Sequence, residues 1–214
     1  MINTRAAIFD VDGTLLDSEP GWESVAEKFL KSRGKTPRVG LWEALRPLGG
    51  HEIPHYFRTE YGVNETESQI ADAINSYLEH FYFNLAPLKE GVVPVLAELK
   101  RRGVKMCLAT ATDRHLVEAA LKRCGILDFF MRVYTCGEER TGKSEPDIYL
   151  RAAEFMGTPV SETFVYEDAL YAVRTAKMAG FPVVGMYDRA ADDQQEEIKG
   201  LVDFYLKSFK DWAL

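Results

Sequence analysis

The apolar run Ala6-Ala7-Ile8-Phe9 stops abruptly at two carboxylates one residue apart, Asp10 and Asp12, with Gly13 immediately after. Four residues are too few for a helix, and the lack of polar alternation predicts a strand covered on both faces, as in a parallel sheet. Such a strand commits the chain to an α/β architecture, and Asp10 stands at its carboxyl end, where open parallel sheets collect ligands and chemistry. Carboxylates this close do not ionise independently: a cation neutralises them, or one keeps its proton. The spacing therefore suits a nucleophile beside a proton donor, a metal site, or both. Gly13 lets the backbone turn so that both side chains can approach one reacting atom. Taken alone, Asp12-Gly13 is also an ordinary turn pair.

The longer string Phe9-Asp10-Val11-Asp12-Gly13-Thr14-Leu15-Leu16-Asp17-Ser18-Glu19 resembles the first motif of the haloacid dehalogenase-like (HAD) phosphohydrolase superfamily. The resemblance implies that Asp10 attacks a phosphoryl group to form an aspartyl-phosphate. It also implies that Asp12 serves as general acid and then base, and that Mg2+ lies between them. A covalent intermediate of this kind divides one hard displacement into two easier ones.

The 214 residues suffice for one large domain or two smaller ones. A net charge of -7 argues against nucleic acid as a partner, since binding it relies on clustered Lys and Arg, but leaves room for a small phosphate ester held by a local cation. Cys107, Cys124 and Cys136 are odd in number and widely spaced, which predicts reduced thiols and neither a disulfide framework nor a close-spaced zinc motif. No apolar run is long enough for a membrane span, and the first residues lack the apolar core of a signal peptide, so the cytoplasm is the default expectation. No oligomeric state follows from the sequence, which is compatible with a monomer.

After the first strand the chain reads as helix upon helix to about residue 87. Ser18 is expected to cap a helix through Arg33, and further helical patterns run over Leu41–Leu45, Pro54–Tyr61 and Glu65–Phe83. From about Glu90 strands alternate with helices, the pattern of a parallel sheet. The expected strands are Val104–Ala109, Phe130–Thr135, Phe164–Tyr166, Val183–Met186 and an edge at Val202–Leu206. Helices are expected over Gly91–Arg102, from Asp113 to Cys124, over Pro146–Met156 and over Ala169–Ala179. The expected organisation is a Rossmann-like core of residues 1–16 and 88–214 with an all-helical insertion, residues 17–87. By resemblance that insertion is the cap of the subgroup of beta-phosphoglucomutases and small sugar-phosphate phosphatases.

Three later segments match the remaining HAD motifs in order. Leu108-Ala109-Thr110-Ala111-Thr112-Asp113 ends a strand at a helix start, where amides, hydroxyls and the helix dipole favour an anion, although threonines there also cap helices. The resemblance makes Thr110 and the Ala111 amide the phosphate holders. Thr141-Gly142-Lys143-Ser144-Glu145-Pro146-Asp147 matches the lysine motif, with Ser144 where the family commonly has proline. Lys143 would offset the charge of phosphate and carboxylates. Phe164-Val165-Tyr166-Glu167-Asp168-Ala169-Leu170 ends a further strand in two carboxylates. Asp168 is the expected Mg2+ ligand beside Asp10 and Asp12, and Glu167 a direct or water-mediated one, since hard cations take oxygen ligands. Ala169 and Ala172 stand where relatives often have serine and glycine.

Two rivals follow from the same sequence. His51-Glu52-Ile53-Pro54-His55 satisfies the zinc-protease pattern His-Glu-x-x-His, but Pro54 would break the helix that must put both histidines on one face. By comparison with capped relatives, His51 falls where a substrate-contacting arginine is common, which makes it a candidate substrate residue. The other rival is a binding protein that has lost turnover, which retention of Asp10, Asp12, Lys143 and Asp168 disfavours. By the resemblance dehalogenation is disfavoured, because family members with that chemistry normally lack the second aspartate, here Asp12. The expected activity is a Mg2+-dependent phosphatase of a small phosphorylated metabolite, with a phosphomutase as alternative.

Overall fold

The computed structural model describes residues 4–45, 48 and 52–212, apart from the side chains of Glu19 and Glu43. Contacts divide the chain into two compact units, residues 1–18 with 86–214, and residues 19–85.

The first unit is built on six parallel strands: β1 (Ala6–Phe9), β2 (Lys105–Thr110), β3 (Val133–Thr135), β4 (Thr163–Glu167), β5 (Val183–Met186) and β6 (Phe204–Leu206). Their spatial order is β3-β2-β1-β4-β5-β6. The four residues of β1 are fully buried because both sheet faces are covered. Toward one face point Ala6, Ile8, Cys107, Ala109, Val165 and Val183, packed with residues of the later helices. The alternate residues carry an aromatic row on the other face. Phe9 stacks on Tyr166 at 4.3 Å and meets Phe130 edge-on, and Tyr166 stacks on Phe209. Each such pair adds about 0.5–1.5 kcal/mol beyond area burial.

The second unit is helical among the described residues: α1 (Glu19–Ser32), α2 (Leu41–Leu45), α3 (Ile53–Tyr61) and α4 (Glu67–Asn84). Gly21 of α1 lies against the Phe81 ring, so close that a Cβ would come within 2.3 Å of it. Trp22 Nε1 donates to Tyr82 Oη at 3.0 Å, and Phe29 stacks on Phe57 of α3 at 5.2 Å. α4 begins at Glu67, later than the pattern suggested, because Thr66 and Gln69 form a capping box.

In the first unit α5 (Val92–Arg101), α6 (Arg114–Arg123), α8 (Asp147–Met156) and α9 (Leu170–Met178) occupy the expected segments, with the short α7 (Cys136–Glu139) preceding α8. α10 (Gln195–Leu201) is not among the expected helices; its buried residues are Gln195 and Ile198. The expected strand Phe130–Thr135 is shorter, running from Val133, with a 3-10 turn at Leu127–Phe129 before it. No helix among the described residues is long and apolar enough to cross a membrane, and all three cysteines are free thiols.

Candidate active site

β1 and β4 are sheet neighbours although the chain passes through β2 and β3 between them, so the direction of winding reverses there. At such a switch point the crossovers leave on opposite sides and open a crevice beyond the strand ends. Phe9 is level with Leu108 of β2 and Tyr166 of β4, so one residue further Asp10 comes level with Glu167. The Asp10 N–H donates to the Tyr166 carbonyl at 3.0 Å, which carries the strand pairing up to the carboxylate itself.

Asp10, Glu167 and Asp168 each offer a carboxylate oxygen, and these oxygens lie within 4.8 Å of one another with all three residues buried. Lys143, from the turn before α8, is also buried and donates to Asp10 Oδ1 and, at 2.6 Å, to Glu167 Oε1. Tyr149 Oη donates to the same Glu167 oxygen at 2.9 Å. Thr14 Oγ1 donates to Asp168 Oδ1 at 2.7 Å. Gly13, at φ +78°, brings the β1 loop so near that a Cβ would sit 2.3 Å from Asp168 Oδ2.

At the end of β2, Thr110 is fully buried and its Oγ1 accepts the Thr112 N–H at 3.1 Å, while Ala111 between them is exposed. That bond occupies a lone pair and not the hydroxyl proton, which is the part of Thr110 an anion would accept. The Thr112 hydroxyl donates to Asp12 Oδ2 at 2.7 Å. The Asp12 side chain is thus tied to the β2 end and is not part of the three-carboxylate group.

Electrostatics follow from this crowding. Burial pushes the Asp10 carboxyl well above its usual range; Lys143 pulls it down, and Glu167, Asp168 and Asp12 push it up again. Burial alone would lower the Lys143 ammonium, but Asp10 and Glu167 hold it well above the ordinary value, so it stays charged. Burial, Glu167 and Asp188 raise Asp168 to about 7 against the opposing pull of Lys89 and Thr14. Lys89 itself is paired with Asp188 at 2.6 Å and bonds the Tyr187 carbonyl at 2.6 Å. Two lysines, Lys143 and Lys89, therefore face four buried carboxylates, Asp10, Glu167, Asp168 and Asp188, more than they neutralise. An all-oxygen donor set with excess negative charge fits a hard divalent cation such as Mg2+.

Of the residues singled out in the sequence, the structure brings together Asp10, Lys143, Glu167 and Asp168, with Thr110 and Ala111 at the adjoining strand end. His51 lies outside the described residues. α3 starts at Ile53, with Glu52 as its N-cap residue, and His55 Nδ1 lies 3.0 Å from Glu67 Oε1 on the exposed surface. Sequence reasoning missed Thr14, Thr112, Tyr149, Lys89 and Asp188. Thr14 and Thr112 lie inside quoted motifs, and their hydroxyls were the available signal. Tyr149 reads as one more apolar residue of a helix face.

The chain is 31% identical over 185 residues to a phosphoglycolate phosphatase of Rhodobacter capsulatus, covering 84% of this chain and 82% of that one. It is 30% identical over 222 residues to Protein CbbY of Cereibacter sphaeroides, covering 96% and 92%. A mutant CbbY from Rhodobacter sphaeroides, solved in complex with xylulose-(1,5)bisphosphate, superposes with a TM-score of 0.82 at 25% identity over 99% of this chain and 96% of that one. The family model for haloacid dehalogenase-like hydrolases matches residues 4–180, and with the switch-point carboxylates in the arrangement just described, the chain belongs to that family.

Proposed function

We propose that this chain is a Mg2+-dependent phosphatase acting on a small phosphomonoester, a sugar phosphate being the favoured class. It is a phosphoric monoester hydrolase by family and relatives, among them a phosphoglycolate phosphatase and CbbY proteins. The observation that carries the finer reading is the convergence of Asp10, Glu167 and Asp168 within 4.8 Å, with the Lys143 ammonium on Asp10.

In this reading the Asp10 carboxylate attacks phosphorus, and Asp12 gives its proton to the departing alkoxide as the P–O bond breaks. Asp12 then takes a proton from the water that attacks the aspartyl-phosphate, and Asp10 and inorganic phosphate are released. The Thr110 hydroxyl, the Ala111 amide and Lys143 hold the phosphoryl oxygens. Asp10, Glu167 and Asp168 would hold Mg2+, which when bound supplies charge neutralisation at the phosphoryl group. Residues 17–87 are read as the cap that selects the alcohol part of the substrate.

Asp10→Asn, assayed with a generic phosphomonoester and Mg2+, is expected to lose turnover by on the order of 10³-fold or more. Unchanged turnover removes Asp10 from the chemistry. A panel of phosphorylated sugars, with isomer formation measured beside phosphate release, separates hydrolysis from phosphomutase action; isomer as the main product would overturn the phosphatase reading.

A further inference from the structure

The two oxygens of Glu167 are used unequally. Oε1 accepts from Lys143 Nζ at 2.6 Å and from Tyr149 Oη at 2.9 Å, while among the described residues the one contact of Oε2 is with the Ala169 N–H at 3.5 Å. A carboxylate oxygen presents about two lone-pair directions, so Oε1 is saturated and Oε2 is the oxygen left for a cation. Lysine alone does not enforce this division, because its ammonium can be approached by either oxygen or by both. The tyrosine can: its ring is fully buried, packed against Phe181 at 6.1 Å and within the cluster formed by α8, α9 and the sheet.

We infer that Tyr149 is a positioning residue that holds Glu167 Oε1 on Lys143 and thereby turns Oε2 toward the divalent cation. This rests on reading Asp10, Glu167 and Asp168 as the Mg2+ site. Without the phenol the carboxylate is free to rotate onto the ammonium, and its second oxygen leaves the site. Outer partners that orient metal ligands are worth about 10–100-fold in metal affinity.

The test is calorimetric titration of the metal-stripped full chain with Mg2+ alone, no substrate present. Tyr149→Phe, which keeps the ring, is expected to weaken the Mg2+ Kd by about 10–100-fold. Tyr166→Phe is the matched control: that buried phenol accepts from Trp212 Nε1 at 3.1 Å, away from the carboxylates, so its loss lowers the thermal midpoint and leaves the Kd unchanged. In a Glu167→Gln background, Tyr149→Phe is expected to change Kd no further, since the phenol acts only through Glu167. A Tyr149→Phe Kd within about twofold of wild type, with a thermal midpoint lowered as in the control, would overturn the inference and leave the metal site standing. If wild type takes up no Mg2+, the metal reading falls and this inference with it.

Discussion

Substituting Gly13 by alanine separates backbone strain from damage to the site, because the structure assigns a different magnitude to each. At φ +78° an alanine pays for a left-handed backbone, about 1–2 kcal/mol. For a chain of this size that lowers the thermal midpoint by about 2–8 °C and leaves the protein folded at 25 °C. The steric effect is more specific. The new Cβ would lie 2.3 Å from Asp168 Oδ2 and 2.7 Å from Cγ, against 3.4 Å for an ordinary contact, so the carboxylate must retreat by about 1 Å. Asp168 cannot swing away freely, since Thr14 holds its other oxygen at 2.7 Å. Metal ligands tolerate displacements of only about 0.2 Å, and an error of about 1 Å in catalytic placement costs on the order of 10²-fold in rate. The assay is phosphate release from a generic phosphomonoester at saturating Mg2+, alongside circular dichroism melts and Mg2+ titration. A folded Gly13→Ala protein with wild-type turnover and Mg2+ affinity would refute the placement of Asp168 at the cation.

Thr112→Val removes the hydroxyl that aims Asp12 and should lower kcat by about tenfold for an alkyl phosphate, a fraction of what general acid catalysis contributes. An aryl phosphate, whose leaving group needs little protonation, should be hydrolysed at nearly the wild-type rate; equal losses on both would sever Thr112 from the acid role. A second expectation concerns pH. Asp10 and Asp168 are raised in the folded chain, the latter to about 7, so the metal-free native state binds more protons than the unfolded one above about pH 4. Metal-free stability should therefore fall as pH rises from about 4 to 7, and Mg2+ should flatten the slope. Thermal melts of stripped and Mg2+-loaded protein across that range check it, and a metal-free midpoint that rises steadily with pH counts against the buried excess charge.

Much of the first unit was legible because its strands are buried on both faces. Ala6–Phe9, Lys105–Thr110 and Thr163–Glu167 announce themselves as apolar runs ending in polar residues, and those polar ends are Asp10, Thr110 and Glu167. Segments whose structure depends on packing against something distant were not legible. α10 buries Gln195, held by Tyr205 Oη at 2.6 Å and by carbonyls of the preceding turn, and such a helix leaves no apolar period to read.

Local chemistry by itself determined which residue types stand at which strand ends, because the apolar run, the turn glycine and the following helix start are all encoded within a few neighbours. Only the tertiary structure decided the partnerships: Thr14 with Asp168, Thr112 with Asp12, and Tyr149 with Lys143 on one oxygen of Glu167. Thr14 and Asp168 are 154 positions apart, Thr112 and Asp12 100 apart. A hydrogen bond is directional over about 3 Å, whereas sequence patterning reports only which face of an element is covered. The order β3-β2-β1-β4-β5-β6 sets those angles by laying β4 beside β1 and turning separate loops into one buried acidic cluster with Lys143 bonded to two of its carboxylates.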